Sequence, residues 1–471
     1  MQKNFKYLII ISCIPFIFSA CMSNMGASVG IDTTGAKEQS QEFAAGRYKK
    51  AAEIAIANKD EDAQIDEAHI LSTLKGANSL LYAKDYKTSI SLFDDAERSI
   101  KFHHEELLAS TTSDYLAKIL LNDAAIDYHA STWDSVLVNT YKSLAYMAEG
   151  KMPEARVELN RAIDRQRRAK EEYSVLIQKQ EEAIAQKKRS ESAEFSRSMD
   201  NPKVTNIVQR NYSNLYNFQA YPDFINPFTT YLAGVFFTID GDLSKASLLL
   251  KESYAMMPDN KTAKEDFDMV EDALNKGKPI SEKYVWIMYE NGLGPIKKQF
   301  KLNIPVFIVS NRVSYTGIAL PRLENRQIAT VDMSVYEGVN LLGKTQNIAD
   351  MDRVIKTEFK YQYKYIVARA VMSTILKTTA QYAMNKNFGG WAGIGAAILQ
   401  MATTQADTRI WSTVGKEFQV TRVKMPHSRK LVLKAGVQSI DVTLGKNAKH
   451  SIVYVRIPTA NSMPSVSVIN F

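Results

Sequence analysis

The residue types that most often carry out catalysis occur in this chain without the spacing that catalysis needs. Its six histidines include the adjacent pair His103 and His104, whose side chains would point about 100° apart on a helix and so form no i,i+4 ligand pair. The sequence contains no Gly-x-Ser-x-Gly nucleophile elbow. Gly292 and Gly294 precede Pro295, which indicates a turn and not a phosphate loop. The sequence therefore predicts no catalytic residue, no metal ligand and no cofactor.

The N-terminal residues have the order of an export signal. Lys3 and Lys6 precede an apolar run over residues 7–18, and two small residues stand directly before Cys21. The run is roughly a dozen residues long, too short to cross a hydrocarbon layer that needs about 20. The sequence predicts that residues 1–20 are a signal peptide that is removed.

Cys21 is the residue with the most specific chemical setting. The order Phe18-Ser19-Ala20-Cys21 resembles the lipobox of bacterial lipoproteins, with Phe18 where an aliphatic residue is usual. The resemblance implies that the Cys21 thiol carries a lipid anchor. Cys13 leaves with the signal, so Cys21 would be a lone thiol in an exported chain, and acylation accounts for it. An ordinary secretory signal cut nearby is the alternative.

Composition and charge suit an exported globular protein better than a nucleic-acid-binding one. The chain has 471 residues, 45% of them apolar, a length that predicts two or three domains. Its formal net charge of +8 falls by two when the signal leaves, and no concentrated basic face is evident. Residues 21–38 are small and polar and predict a flexible tether. Met22 after the lipid site resembles the outer-membrane sorting class, which places the protein at the outer membrane facing the periplasm.

Residues 39–276 have the spacing of a helical repeat region. Ala, Leu and Tyr recur every three and four residues with few prolines. Three copies of a helix-turn-helix unit place their turns at Lys84, Gly150 and Gly241, with small residues Ala77, Ser89, Ala96, Ser143, Ala155, Ala162, Gly234, Ala246 and Ser253. The units resemble tetratricopeptide repeats, although their turns are not separated by multiples of about 34 residues.

Charged residues dominate an insertion at about 153–198. Many are placed for i,i+4 pairing, which predicts a long solvated helix or helical hairpin. The alternative is a basic strip for a partner's carboxylates or phosphates, for which Arg161, Arg165 and Arg168 are the candidate residues. Residues 201–227, rich in Asn and Tyr, predict a loop packed on the repeats.

Residues 277–471 change to the texture of an α+β domain. Strand-like runs cover residues 284–289, 300–309, 314–320, 327–335, 418–423, 430–434, 439–444 and 452–457. Helical stretches interrupt them at residues 348–386 and 391–404. The order predicts an antiparallel sheet or sandwich with inserted helices.

The apolar, glycine-rich stretch 388–399 is a second candidate contact. It is too short to span a bilayer. Burial against the sheet is the simpler interpretation, and contact of Trp391 with a membrane or a partner is the alternative.

Several motifs together resemble an uncharacterised family of repeat-bearing bacterial envelope lipoproteins. The motifs are the lipobox, Glu154 to Glu158, Tyr289 to Lys297, and Ala402 to Trp411. The resemblance covers most of the mature chain and implies an envelope setting, with members found beside lipoproteins similar to penicillin-binding-protein activators. Within the last motif, Asp407 and Arg409 are predicted to pair locally and Trp411 to anchor the segment in the core.

The leading hypothesis is a lipid-anchored scaffold or adaptor for an envelope protein or peptide, in cell-wall or envelope assembly. Repeat hairpins expose an extended concave face that suits peptides. The alternative is an accessory of envelope export or polymer assembly that contacts the bilayer through residues 388–399. An enzyme would be favoured by a deep cleft that holds a carboxylate pair, which the sequence alone does not rank.

Overall fold

The structure is a computed structural model, and it describes residues 34–57, 70–109, 128–190, 193–222, 224–308, 312–388 and 405–471. The predicted signal peptide, Cys21 and Trp391 lie outside these ranges. The first helix begins at Thr34, inside the segment expected to be a tether. This part of the prediction is corrected for residues 34–38, which form the start of a helix whose last residue, Ala44, accepts a hydrogen bond from the Thr459 hydroxyl.

Helices occupy most of the chain before residue 276. They are α1 (Thr34–Ala44), α2 (Tyr48–Ala57), α3 (Ile70–Ala83), α4 (Tyr86–Ala109), α5 (Thr132–Ala148), α6 (Met152–Ser190), α7 (Ala193–Met199), α8 (Pro202–Asn211), α9 (Pro227–Asp240), α10 (Leu243–Met256) and α11 (Lys261–Asn275). The helical region therefore agrees with the sequence. Four pairs, α1–α2, α3–α4, α5–α6 and α9–α10, are joined by turns of two or three residues.

The turns of these helical hairpins share one backbone conformation. Gly46, Lys84, Gly150 and Gly241 all have positive φ, between 65° and 86°, the left-handed conformation that ends a helix. At Lys84 the N–H of the next residue, Asp85, donates to the Leu80 carbonyl at 3.0 Å. The same i to i−5 bond follows Gly46 and Gly150. The three turns chosen from the sequence are thus real hairpin turns.

The segment expected to be a loop at residues 201–227 contains helix α8 instead. The Asn201 side chain accepts a hydrogen bond from the Lys203 backbone N–H, and Pro202 occupies the first helical position. An Asn cap followed by Pro is a helix-start signal. The Asn and Tyr content of the segment concealed it. The charged insertion is one continuous helix, α6, of 39 residues as far as Ser190, and the short helix α7 covers its end.

Three sheets follow the helices. Their strands are β1 (Tyr284–Asn291), β2 (Ile296–Ile308), β3 (Arg312–Glu324), β4 (Ser334–Glu337), β5 (Asn340–Lys344), β6 (Gln346–Asp350), β7 (Glu417–Lys424), β8 (Lys430–Ala435), β9 (Gln438–Thr443), β10 (Ser451–Ile457) and β11 (Ser465–Asn470). The orders are β11-β10-β1-β7-β6, β2-β3 and β5-β4-β8-β9. Helix α12 (Met351–Phe388) connects β6 towards β7, close to the predicted 348–386.

The five-stranded sheet is mixed, which corrects the prediction of an antiparallel sheet. Strands β1 and β10 run parallel over seven paired positions, while the other pairs are antiparallel. The long connection between β1 and β10 makes a parallel pair possible, and periodicity in one sequence does not report strand direction. Most of the run 327–335 is not a strand, and β5, β6 and β11 were not predicted.

Two apolar cores arrange the molecule in three layers. Trp286 and Met288 of β1 belong to a large core shared with the helices, whereas Val285, Ile287 and Tyr289 belong to a second core against the four-stranded sheet. Alternate residues of one strand therefore face opposite layers. Because the helices and the sheet share one core, the boundary near residue 276 separates types of secondary structure and not independently packed domains.

Candidate functional site

The buried carboxylate of Glu290 joins the helices to the sheet. It accepts hydrogen bonds from the Tyr82 hydroxyl of α3 at 2.5 Å and the Tyr141 hydroxyl of α5 at 2.9 Å. The Gly415 backbone N–H donates at 2.7 Å, and the Tyr454 hydroxyl of β10 also donates. Burial raises the pKa of Tyr82 well above its ordinary value, so its hydroxyl stays a donor at neutral pH.

Arg456 completes this centre. Its Nε lies 3.5 Å from a Glu290 carboxylate oxygen, and both side chains are 0% exposed. Its guanidinium donates to the carbonyls of Gly292 at 2.6 Å and Thr413 at 3.3 Å. At Gly292, where φ is +71°, an added Cβ would lie 2.7 Å from the Gln327 carbonyl oxygen. The motif from Tyr289 to Gly294 thus forms an enclosed structural joint, closed to any substrate.

The second motif also has a structural role. Trp411 is fully buried, stacks on Trp133 with ring centroids 6.3 Å apart, and donates through Nε1 to Thr413 at 2.8 Å. Arg409 Nε donates to Asp407 at 2.9 Å. Both sequence predictions for this motif are confirmed, and the Asp407–Arg409 pair lies beside a cavity.

This cavity, of about 550 Å³, lies where the helices meet the two-stranded β2–β3 sheet. Its wall is formed by the C-terminal half of α4, the start of α5, the middle of α6, the middle of α12, β2, β3 and the segment before β7. Charged lining residues of both signs are Lys101, Glu105, Glu106, Arg165, Arg168, Glu172, Lys297, Glu358, Arg369, Asp407 and Arg409. The volume is in the range of small-molecule and peptide sites.

One buried carboxyl group, that of Glu358, lines this cavity, and a second, that of Asp134, lies behind its wall. Glu358 of α12 is 4% exposed and accepts a hydrogen bond from the Thr132 backbone N–H at 3.2 Å. Burial raises the pKa of Glu358 to about 7, and the charge of Asp134 adds to the shift. Burial also raises the pKa of Asp134 to about 7, although the Tyr128 hydroxyl donates to it at 2.7 Å. Both groups are partly protonated at neutral pH.

Opposite charges act on these carboxyls from β2 and from the segment before β7. Lys297 lowers the pKa of Asp134, Glu358 and Asp407, which places its ammonium within electrostatic range of all three. Burial acts to raise the pKa of Asp407, but Arg409 and Lys297 hold it below its ordinary value. Asp407 therefore stays ionised while Glu358 and Asp134 take up protons near pH 7.

The three arginines proposed from the sequence have partners in their own chain. Arg161 pairs with Glu158 at 2.9 Å and Arg168 with Asp164 at 3.0 Å. Arg165 pairs with Glu97 at 2.5 Å and donates to the Ser135 carbonyl.

Arg165 and Arg168 line the cavity, whereas Arg161 lies in a smaller groove between α4 and α6. Their pairing agrees with the long solvated helix that the sequence predicts, and a basic strip for a partner stays an untested alternative.

The remaining candidate residues are the two adjacent histidines, Cys21 and Trp391. His103 and His104 both line the cavity, and in the described ranges no group of three or more His, Cys, Asp or Glu side chains could hold a metal ion. Cys21 and Trp391 lie outside the described residues, so the lipid anchor and the bilayer contact stay predictions. Within those same ranges no helix is long and apolar enough to cross a membrane.

Sequence reasoning missed Glu358, Lys297, Asp134 and Tyr128. They come from α12, β2 and the start of α5, far apart in the chain, so no local spacing links them. Comparisons with protein-family models, with characterised proteins and with solved structures found no match to this chain.

Proposed function

We propose that this protein is a lipoprotein of the bacterial cell envelope that acts as a scaffold or adaptor for a protein partner, in cell-wall or envelope assembly. The order of the N-terminal residues around Cys21 supports the anchor and the location at the outer membrane. The cavity between the helices and the sheet supports a binding role, and it is the single observation on which we rest this function.

We also propose that the helical hairpins are divergent tetratricopeptide-like repeats. Close helix contact at small residues supports this: Ser89 donates to the Ala77 carbonyl at 2.7 Å, and Ser253 to the Pro227 carbonyl at 3.1 Å. An added Cβ at Gly234 would lie 2.8 Å from Leu250. Small residues at such crossings are what a repeat hairpin needs.

The face of the repeats that was expected to bind a partner is occupied by the chain itself. Tyr82, Tyr141 and Phe228, each on the first helix of its hairpin, are buried and contact Glu290 or Phe418 of the sheet. The five-stranded sheet thus covers the face that binds a peptide in open repeat arrays. A partner must therefore bind elsewhere. The cavity is lined by residues of helices and strands that the five-stranded sheet does not cover.

Site-specific photo-crosslinking in the native cell tests the scaffold. A photoreactive residue is placed at Phe102, which is 51% exposed beside the cavity, and at Gln180 on its wall. Val437, 85% exposed in the turn between β8 and β9, is the matched control. We expect both cavity positions to crosslink one and the same envelope protein and Val437 to give no such product. Equal products at all three positions, or none at the cavity, would contradict the proposal.

Replacement of Cys21 with Ser tests the anchor separately. Without the thiol no diacylglyceryl group can be attached, so we expect the protein to become soluble or to keep its signal peptide. Fractionation and intact-mass measurement check this result. A cleaved Cys21→Ser product that stays in the membrane fraction would contradict lipidation at this residue.

A further inference from the structure

We propose that the cavity recognises a carboxylate group of its ligand, through the Lys297 ammonium and the Glu358 carboxyl. The inference rests on the proposed binding function and names the chemistry of that site. Two sources carry this group on a protein partner: the C-terminus of a chain and the side chain of Asp or Glu.

The Glu358 side chain leaves one polar atom for a ligand. Its Oε1 accepts from the Thr132 backbone N–H and from Gln362 Nε2, each at 3.2 Å. Its Oε2 is buried and has no hydrogen bond of ordinary geometry, although the Trp133 backbone N–H is near enough to lower the pKa of the carboxyl. Buried polar atoms are nearly always paired, and an orphan of this kind on a cavity wall indicates a missing partner.

Lys297 provides a positive charge at the same cavity. Its half-buried side chain lines the wall. The nearby acid Asp407 is held by Arg409, with Nε and Oδ1 2.9 Å apart. Within the described ranges the Lys297 ammonium forms no ion pair or hydrogen bond, so its charge is available to an anion.

The other charges around Glu358 favour an anion over a cation. The titratable and charged groups around Glu358 are Tyr128 before α5, Asp134 on α5, His103 and His104 on α4, Arg165 and Glu172 on α6, Lys297 on β2, Arg369 on α12, and Asp407 and Arg409 before β7. Arg165 and Arg168 already hold acids of the chain. An incoming ammonium would meet Lys297 and Arg409, whereas a carboxylate would meet one free cation.

The protonation of Glu358 decides how it takes part. With its pKa raised to about 7 by burial, the neutral form carries a proton that Oε2 can donate to a ligand oxygen. The second ligand oxygen then accepts from Lys297. Because this arrangement needs the proton, affinity should fall as the pH rises, by about tenfold between pH 6 and pH 8 for a group with this pKa.

Three short peptides test the inference on the purified full-length protein by NMR titration. They are acetyl-Ala-Ala-Ala with a free carboxylate, the same peptide with a C-terminal amide, and acetyl-Ala-Asp-Ala amide. We expect the neutral amide to bind at least tenfold more weakly than a carboxylate peptide. Preference for the first or the third peptide identifies the C-terminus or the acidic side chain as the source. Equal binding of all three, or of none, would overturn the inference.

Variants assign the binding to the two groups. Lys297→Met should weaken carboxylate binding at least tenfold. Lys298→Met is the matched control, because Lys298 is the next residue of β2 and pairs with Glu324 at 2.8 Å away from the cavity. Glu358→Gln keeps a neutral donor at every pH, so its binding should no longer fall between pH 6 and pH 8. A persisting pH dependence would contradict the role of Glu358.

Failure of the inference and failure of the scaffold give different results. Position-specific crosslinks without any carboxylate preference would refute the inference and leave the scaffold standing. Carboxylate binding without crosslinks to a protein would refute the scaffold. Thermal unfolding of each variant shows whether it is folded, and Glu358→Gln, which removes a buried ionisable group, serves as the variant least prone to unfold.

Discussion

At the residue scale, buried charge in this protein has two distinct uses. The Glu290–Arg456 pair is enclosed: three tyrosine hydroxyls donate to the Glu290 carboxylate, and the Arg456 guanidinium donates to three backbone carbonyls. Glu358 lies against a cavity and keeps one oxygen without a hydrogen bond of ordinary geometry. The first arrangement holds layers together, and the second is what a ligand site requires, because a carboxyl that is already satisfied gains nothing from a ligand.

Breaking the enclosed pair should strongly destabilise the protein. Glu290→Gln leaves the Arg456 charge buried without its counter-ion, so we expect a loss of about 3–5 kcal/mol in the free energy of unfolding. Denaturant unfolding measures it. Glu290→Gln combined with Arg456→Met should lose less than the sum of the two single changes.

The exposed Lys264–Asp268 pair supplies the control for this measurement. Both side chains are 53% exposed, so Lys264→Ala should leave the free energy of unfolding essentially unchanged. A loss below about 1 kcal/mol for Glu290→Gln would show that the centre is not the joint described above.

The two carboxyls near the cavity should make stability fall as the pH rises. Their folded-state pKa of about 7 exceeds the ordinary values of 4.5 and 3.8. A raised pKa contributes stability that is present below the ordinary value and lost as the pH passes through the folded value. Between about pH 4 and pH 8 we expect a loss of about 3–4 kcal/mol for each group if they titrate independently.

Urea unfolding at several pH values checks this dependence. Glu358→Gln should reduce the slope and raise stability at pH 8, because no charge then has to be buried. Glu105→Gln is the control, since Glu105 is 67% exposed on α4, and it should leave the slope unchanged. The Glu358→Gln variant measures how the other titrating groups change stability with pH, and this contribution is subtracted from that of the unaltered protein. A remaining stability that rises from pH 5 to pH 8 would contradict the prediction.

At the element scale, the hairpins depend on how closely their helices approach. Gly234 lies on α9 where an added Cβ would be 2.8 Å from the Cγ and Cδ2 atoms of Leu250 and 3.3 Å from its backbone nitrogen. Leu250 is fully buried and has little room to move. We therefore expect Gly234→Ala to destabilise the protein by about 1–3 kcal/mol, measured by thermal or denaturant unfolding.

Gly76→Ala is the matched control on another hairpin helix, α3. Its nearest neighbours would be side-chain atoms of Ile56 at 3.3 Å and Leu92 at 3.6 Å, both able to shift. Alanine favours a helix over glycine by up to about 1 kcal/mol, so this change should be neutral or stabilising. Equal losses at the two glycines would indicate that close helix contact is not what selects Gly234.

At the scale of the whole molecule, the helical layer and the sheet form one folding unit. The large core contains Tyr82, Tyr141 and Phe228 from the helices together with Trp286 and Phe418 from the sheet. A fragment that ends at residue 276 would expose the first-helix face of the hairpins to water. Apolar area of that kind is what drives association and dye binding.

We expect residues 34–276 expressed alone to bind an apolar dye and to unfold over a broad range. In the full-length protein, the helical layer and the sheet should unfold together in one cooperative transition. Calorimetry and dye fluorescence on the two proteins check this. A fragment that unfolds cooperatively with a well-dispersed NMR spectrum would show that the helical layer folds independently.

The sequence alone determined the local features of this protein. Helix-period spacing located the hairpins and the long helix α6, and positive-φ turns fell at the predicted Lys84, Gly150 and Gly241. The local Asp407–Arg409 pair and the buried Trp411 were also predicted correctly. These features depend on residues close in the chain, whose chemistry is readable directly.

Only the tertiary structure decided what the layers face and where a ligand can bind. The parallel pairing of β1 with β10, the sheet covering the hairpin face, and the placing of Lys297 and Glu358 on one cavity wall bring together residues from distant parts of the chain. No periodicity encodes such contacts, because they follow from which apolar faces pack together. The candidate site therefore had no local sequence signal: Glu358 lies in a helix that the sequence located, whereas Lys297 lies before the strand predicted at residues 300–309.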